Sequence, residues 1–269
     1  MTRAFVTDDE SIAAARPGSL LRVIDLRKSY VDRHGDRVDA VRGVSLTVEP
    51  GEVLGIVGES GSGKTTLGRT IMRLMEPDSG RILIDGEDFT AKSGPALKAA
   101  RRDVQMVFQD PFGSLNPRHK VGTIIGEPLV VHQIGGAKQR IAELLHLVGL
   151  PNTALDRYPH EFSGGERQRI AIARALALKP RLVIADEPVS ALDVSIQSQI
   201  MNLLADLKEQ LGMAMIFISH DLSVIRHVSD RVAVMYQGEI VESGTAMAVF
   251  DSPRHDYTRA LLAALPRSR

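Results

Sequence analysis

Short apolar runs bounded by turn residues alternate with helically spaced ones from residue 20 onward, the pattern of a largely parallel sheet flanked by helices. Residues 21–26, 38–48 and 52–57 read as strands, the middle one in an antiparallel element, followed by a helix over 63–75 and a strand over 81–85. Residues 104–108 form a buried-strand run closed by Gln109, Asp110 and Pro111. The pattern then changes. Residues 111–165 are rich in proline, glycine and helical spacing, with Ile141, Leu144, Leu145 and Val148 on one face, which predicts an inserted helical subdomain. Sheet patterning resumes with a helix over 166–178, a strand over 181–185, a helix over 195–211, a strand over 213–219 and a hairpin of 231–236 with 239–242 around Gln237-Gly238. The stripe Ile196, Ile200, Leu203, Leu204, Leu207 and Leu211 on the long helix is core packing. The resulting division is an extension over 1–19, core over 20–110, helical subdomain over 111–165, core again over 166–244 and a helical tail over 245–269.

Composition narrows the partners. The 269 residues and 43% hydrophobic content support a sizeable core. Thirty-three basic residues balance thirty-three acidic ones, so no overall positive field favours nucleic acid or an anionic bilayer, and nucleic acid is not an expected partner. The absence of cysteine excludes disulfides, thiol nucleophiles and thiolate-bound clusters, and fits a reducing cytoplasm. No apolar run approaches the ~20 residues of a membrane-spanning helix, so membrane association would run through a partner. Asp8, Asp9 and Glu10 interrupt the opening segment where a signal peptide needs an apolar stretch.

Chemistry enters at residues 58–65, Gly-Glu-Ser-Gly-Ser-Gly-Lys-Thr, a P-loop pattern placed between a strand and a helix. Glycines let successive N–H groups curl around phosphate oxygens, and the helix N-terminus adds partial positive charge. Gly58, Ser60, Gly61, Ser62, Gly63, Lys64, Thr65 and Thr66 are the candidate phosphate contacts, Lys64 for the β- and γ-phosphates and the Thr65 hydroxyl for magnesium. The strand at 181–185 ends in Asp186-Glu187, the form of a Walker B segment, with Asp186 expected to hold magnesium and Glu187 to polarise the attacking water. Ser163-Gly164-Gly165 opens a helix with unhindered N–H donors and a hydroxyl suited to a γ-phosphate, although as a bare motif it is also an ordinary N-cap turn.

Phe162-Ser-Gly-Gly-Glu-Arg-Gln168, between the helical segment and Asp186-Glu187, resembles the signature of the ATP-binding-cassette (ABC) ATPases, and the resemblance spans residues 20–244. It implies an α/β fold, the P-loop NTPase core of ABC ATPase type with an antiparallel β element and an inserted α-helical subdomain. It also implies ATP and Mg2+ as ligands, with Ser163, Gly164 and Gly165 contacting ATP held by the opposite subunit's P-loop. Gln109 resembles the Q-loop glutamine that senses the metal and the water, Ser190 to Asp193 the loop that crosses the dimer interface, His220 the switch histidine at the γ-phosphate, and Tyr30 the aromatic that stacks on adenine.

Residues 107–118, 158–165 and 255–266 are similar to the peptide, nickel and glutathione importer branch. This implies a second cassette, identical or paralogous, two transmembrane permease subunits, an extracytoplasmic solute-binding protein acting indirectly, and a place on the cytoplasmic face of the inner membrane. Asp256 stands where the branch has proline, and Glu166 where glutamine is common. Two alternatives remain at this stage, the cassette of a carbon–phosphorus lyase assembly and a soluble cassette outside transport.

Overall fold

The structure, a computed structural model, describes residues 18–32 and 35–264. The extension expected over 1–19 and the last five residues of the tail therefore lie largely outside the described residues. The chain builds two sheets. Strands β1 (Leu21–Val31), β2 (Arg37–Val48), β4 (Ser79–Ile84) and β5 (Glu87–Asp88) form an antiparallel sheet in the order β2-β1-β4-β5. The second sheet runs β10-β9-β3-β8-β7-β6, made of β3 (Val53–Val57), β6 (Val104–Val107), β7 (Leu182–Asp186), β8 (Ala214–Ile218), β9 (Arg231–Tyr236) and β10 (Glu239–Thr245). It is parallel from β9 to β6, with β10 antiparallel at its edge.

Every residue of β3, β7 and β8 is buried. That is why these strands read as unbroken apolar runs: a parallel strand covered on both faces has no polar side to alternate with. Helix α1 (Lys64–Ile71) lies between the sheets, where Leu67 and Ile71 join Leu21, Leu26, Ile56, Ile82, Phe89 and Ile216 in one core. A second core covers the other face of the parallel sheet.

Helices α2 (Gly94–Ala100) and α3 (Pro111–Ser114) flank β6. Residues 111–165 hold α3, α4 (Val121–Val131) and α5 (Ala137–Leu147) with two 3-10 turns, and no strand among the described residues. Ile141, Leu144, Leu145 and Val148 all face the core, as their spacing predicts. Helix α6 (Gly164–Ala175) leads back to β7, and α7 (Val194–Leu211) and α8 (Leu222–Val228) flank β8.

Several expectations need correction. The first strand continues to Val31, because Tyr30 and Val31 pair with Val38 and Arg37 across the hairpin. The helix expected over 63–75 stops at Ile71, and Arg73 takes a positive φ of 53°, which no helix accommodates. The tail consists of two helices, α9 (Ala246–Asp251) and α10 (Asp256–Ala263), separated around Pro253, whose missing N–H and fixed φ favour the break. Asp256, where the importer branch has proline, occupies the first position of α10, and an acidic side chain there suits the helix dipole as well as a proline ring suits that turn.

Candidate functional site

The loop between β3 and α1 can take its shape only with glycine at two points. A Cβ on Gly58, at φ 155°, would lie 2.1 Å from the Met235 carbonyl oxygen, and one on Gly63, at φ 106°, 2.1 Å from that of Ala40. Both clashes are with backbone, so no rotamer relieves them. Gly63 is also the N-cap of α1 and supplies no side-chain acceptor, which leaves the first N–H groups of the helix for an anion.

Lys64 is almost wholly buried beneath this loop. Its three ammonium protons meet three acceptors, the carbonyls of Gly58 and Glu59 at 2.8 Å each and Ser62 Oγ at 3.3 Å. Burial lowers its pKa, and the carboxylates of Glu187, Asp186 and Glu59 oppose that shift.

The other half of the site is the end of β7. Asp186 is fully buried and accepts a hydrogen bond from Thr65 Oγ1 at 2.9 Å through Oδ1, while Oδ2 has no partner. Burial raises its pKa, outweighing the Thr65 hydrogen bond and the nearby charges of Arg69 and Lys64, which favour the anion. A buried carboxylate oxygen without a partner, next to a threonine hydroxyl, suits a hard divalent cation that prefers oxygen ligands, so the residues present fit magnesium. Glu187 follows at φ 45°, a left-handed conformation that costs a non-glycine residue about 1–3 kcal/mol. The bend lets consecutive carboxylates separate, Asp186 buried beside Thr65 and Glu187 into the cleft, while Glu187 N–H stays paired with the Ile218 carbonyl at 2.9 Å.

Two groups far apart in sequence converge on Glu187. Gln109 Nε2 donates to Glu187 Oε2 at 2.9 Å, and His220 Nδ1 lies 3.2 Å from Oε1. Gln109 thereby keeps its carbonyl oxygen for a cation, and Glu187 is held from both sides where a water could be deprotonated.

A cleft of about 510 Å³ joins these parts, lined by Tyr30, Ser60, Gly61, Gly63, Lys64, Thr65, Thr66, Gln109 and Glu187. Tyr30 is 42% exposed at its mouth, a free ring face rather than core packing. Sequence reasoning missed Asp39, Arg42, Gln237 and Gly238, which also line it. The Gln237-Gly238 turn was legible as a hairpin, but its use here depends on Gly238 N–H donating to the Ser62 carbonyl in the loop before α1 and on Arg42 N–H of β2 donating to the Gly238 carbonyl.

Gly58, Ser62, Asp186 and His220 do not line this cleft but touch Lys64, Thr65 or Glu187, which do, whereas Ser163, Gly164, Gly165 and Asp193 neither line it nor bond to those residues. Ser163 is the exposed N-cap of α6 in a capping box, its N–H and hydroxyl both donating to Glu166 Oε2 at 2.9 and 2.8 Å. Those two bonds hold the Glu166 pKa below the usual carboxylate range. A Cβ on Gly165 would meet Ile196 Cγ2 at 2.6 Å, so glycine permits the close packing of α6 on α7. Asp193 is exposed at the start of α7 and makes no cap hydrogen bond.

Asp186→Asn provides a first test. At pH below both its unfolded and folded pKa values the carboxyl is neutral in each state and costs nothing. As pH rises, the unfolded chain ionises first, so stability falls until pH passes the raised folded pKa. Asn removes that cost and can still accept from Thr65. The variant is expected to melt about 2–4 °C higher at neutral pH, the shift worth ~1 kcal/mol in a domain of this size. A lower melting point by calorimetry would show that the carboxylate stabilises the fold.

The chain is similar to known proteins over most of its length. The ABC transporter family model matches residues 41–190. The oligopeptide transport ATP-binding protein AppF of Bacillus subtilis is 50% identical over 96% of this chain and 82% of its own length. The glutathione import ATP-binding protein GsiA of Salmonella paratyphi A is 51% identical over 97% of this chain, but this chain spans only 42% of GsiA. Among solved structures, the dimeric post-hydrolysis state of the ATP-binding cassette MJ0796 bound to ADP and Pi aligns with a TM-score of 0.75 at 31% identity, covering 84% of this chain and 98% of that one. By matched model, shared sequence and shared fold alike, the chain belongs to the ABC transporter family, as one of its ATP-hydrolysing cassettes.

Proposed function

We propose that this chain is the ATP-hydrolysing subunit of an importer for di- or oligopeptides or related small solutes, working as one of a pair of cassettes that close head to tail around two ATP molecules. The observation that carries the reading is the split of the candidate residues. Lys64, Thr65, Gln109 and Glu187 share one cleft with Tyr30, whereas exposed Ser163 and half-buried Gly164 open α6 outside that cleft, with Gly165 packed against α7. A second copy or a paralogue is the simplest source of an ATP for them.

In this reading residues 20–110 and 166–244 form the ATP-binding core, 111–165 the helical subdomain and 245–269 the tail. The loop N–H groups and Lys64 hold the phosphates, Tyr30 stacks on the base, Glu187 takes the proton from the attacking water, and Gln109 and His220 keep Glu187 aimed. Thr65, Asp186 and the Gln109 carbonyl would hold magnesium, which supplies charge neutralisation across the phosphates.

A groove of about 580 Å³ beside Gln109, lined also by Leu74, Phe108, Gly113, Pro128 and Arg174, is the proposed seat of a permease loop. No described helix is long and apolar enough to cross a membrane. Residence on the cytoplasmic face would thus come through two permease subunits, with a solute-binding protein on the far side. Co-purification of the cassette with its membrane partners, followed by transport assays with di- and oligopeptides, tests the assignment. Co-purification with a soluble enzyme assembly and no permease would overturn it.

Tyr30→Ala is expected to raise the ATP dissociation constant about five-fold and to leave turnover at saturating ATP within two-fold, because stacking contributes on the order of 1 kcal/mol and is remote from the γ-phosphate. Unchanged affinity in an equilibrium titration would reject Tyr30 as the base platform.

A further inference from the structure

The tail has a direct line to the nucleotide loop. Tyr257, in α10, accepts a hydrogen bond from the Glu59 N–H at 3.0 Å, and its ring lies on that of Tyr236 with centroids 4.1 Å apart. Glu59 N–H and Gly58 C=O are the two ends of one peptide group, and that same carbonyl accepts from Lys64 Nζ at 2.8 Å. A peptide group is planar, so fixing its N–H end fixes the direction of its carbonyl. We propose that Tyr257 is a positioning residue for Lys64, acting through the Gly58–Glu59 peptide plane. The inference rests on reading Lys64 as the cation that meets the phosphates.

The arrangement suits that task. Gly58 has the permissive backbone of a glycine at φ 155°, so side-chain sterics do not fix this plane and its direction depends on its hydrogen bonds. Tyr257, in contrast, stands on a fixed base. Glu242 of β10 accepts the N–H groups of Arg254 and His255 at 2.8 and 3.0 Å, and His255 Nδ1 accepts the Tyr257 N–H at 3.1 Å. Arg259 donates to the carbonyls of Pro253 and Arg254, and Thr258 is buried beside the tyrosine. The sheet edge, the tail, the peptide plane and the lysine thus form one chain of contacts ending at the phosphate site. Loss of the phenol hydroxyl frees the plane to rotate and moves the acceptor away from Lys64, whereas the ring contact with Tyr236 survives in phenylalanine.

The test is a double-mutant cycle on the full-length protein, read as the equilibrium affinity for Mg-ATP. Tyr257→Phe should weaken binding about three- to ten-fold, the effect of one hydrogen bond, when Lys64 is present. In a Lys64→Ala background the same change should be nearly silent, because the peptide plane then has no lysine to orient. A contribution to folding alone would instead weaken both backgrounds equally, and that result overturns the proposal. So does an unchanged affinity of Tyr257→Phe beside a weakened Lys64→Ala, which leaves the lysine reading intact. If Lys64→Ala itself binds Mg-ATP as tightly as the parent, both fall. Hydrogen exchange gives a second reading: the Glu59 amide should exchange faster in Tyr257→Phe while the amides of β3 do not change, and an unchanged Glu59 rate also overturns the inference.

Discussion

Glu187→Gln is expected to bind ATP with near-parental affinity, to lose about 10²- to 10⁴-fold in hydrolysis, and to accumulate as closed dimers in Mg-ATP. The side chain is bounded by Gln109 at 2.9 Å on one oxygen and His220 at 3.2 Å on the other. Glutamine fills the same space and, with its oxygen toward Gln109 Nε2, turns an amide toward the imidazole, which accepts when neutral. The site therefore keeps its shape while losing the group that draws a proton from water. None of the phosphate contacts proposed for Lys64 and the loop N–H groups depends on that carboxylate. Separation of binding from chemistry is the diagnostic outcome, measured by titration and by sizing of the protein with Mg-ATP. Normal turnover in the variant would transfer the base role, with His220 the first group to examine.

The parts of this site differ in how legibly the sequence carried them. The phosphate loop, the end of β7 and the start of α6 are each built by consecutive residues, and their chemistry follows from local conformation: glycine where a Cβ would strike backbone, a carboxylate at a strand end, a serine capping a helix. The parallel strands were readable for a related reason, because burial on both faces leaves an unbroken apolar run. Helix α2 was not, since none of its residues is buried and an exposed helix prints no apolar stripe. The two-residue β5 is too short for any period.

Contacts assembled from distant segments were harder still. Gln109 and His220 were singled out by their place after strands and by resemblance, but their meeting on one carboxylate depends on β6, β7 and β8 lying side by side. Tyr257 drew attention only as part of a tail motif. Its contact with a loop 198 residues earlier is invisible to spacing because it is made by Tyr257 of α10 packing on Tyr236 of β9.

Ser163→Arg is expected to leave ATP binding by the isolated subunit nearly intact and to abolish hydrolysis. Ser163 is exposed, does not line the nucleotide cleft of its own subunit, and engages only Glu166 through its side chain. Its hydroxyl and the N–H groups that open α6 form an anion-ready surface, and head-to-tail closure would bring a partner's γ-phosphate to it. An arginine here keeps the charge attraction but places a long side chain where hydroxyl and backbone must approach phosphate, so closure fails on shape. Mixing gives the sharper result. In a homodimer, one Ser163→Arg subunit paired with one Lys64→Ala subunit makes one composite site with both lesions and one with neither, because each site takes its lysine from one chain and its serine from the other. Each variant alone has two damaged sites and no turnover. Mixed, they should recover a share of the parental rate set by the fraction of mixed dimers, if one intact site can turn over. If Ser163→Arg instead destroys ATP binding by the folded monomer, the serine serves its own subunit's nucleotide, and the head-to-tail arrangement fails for this chain.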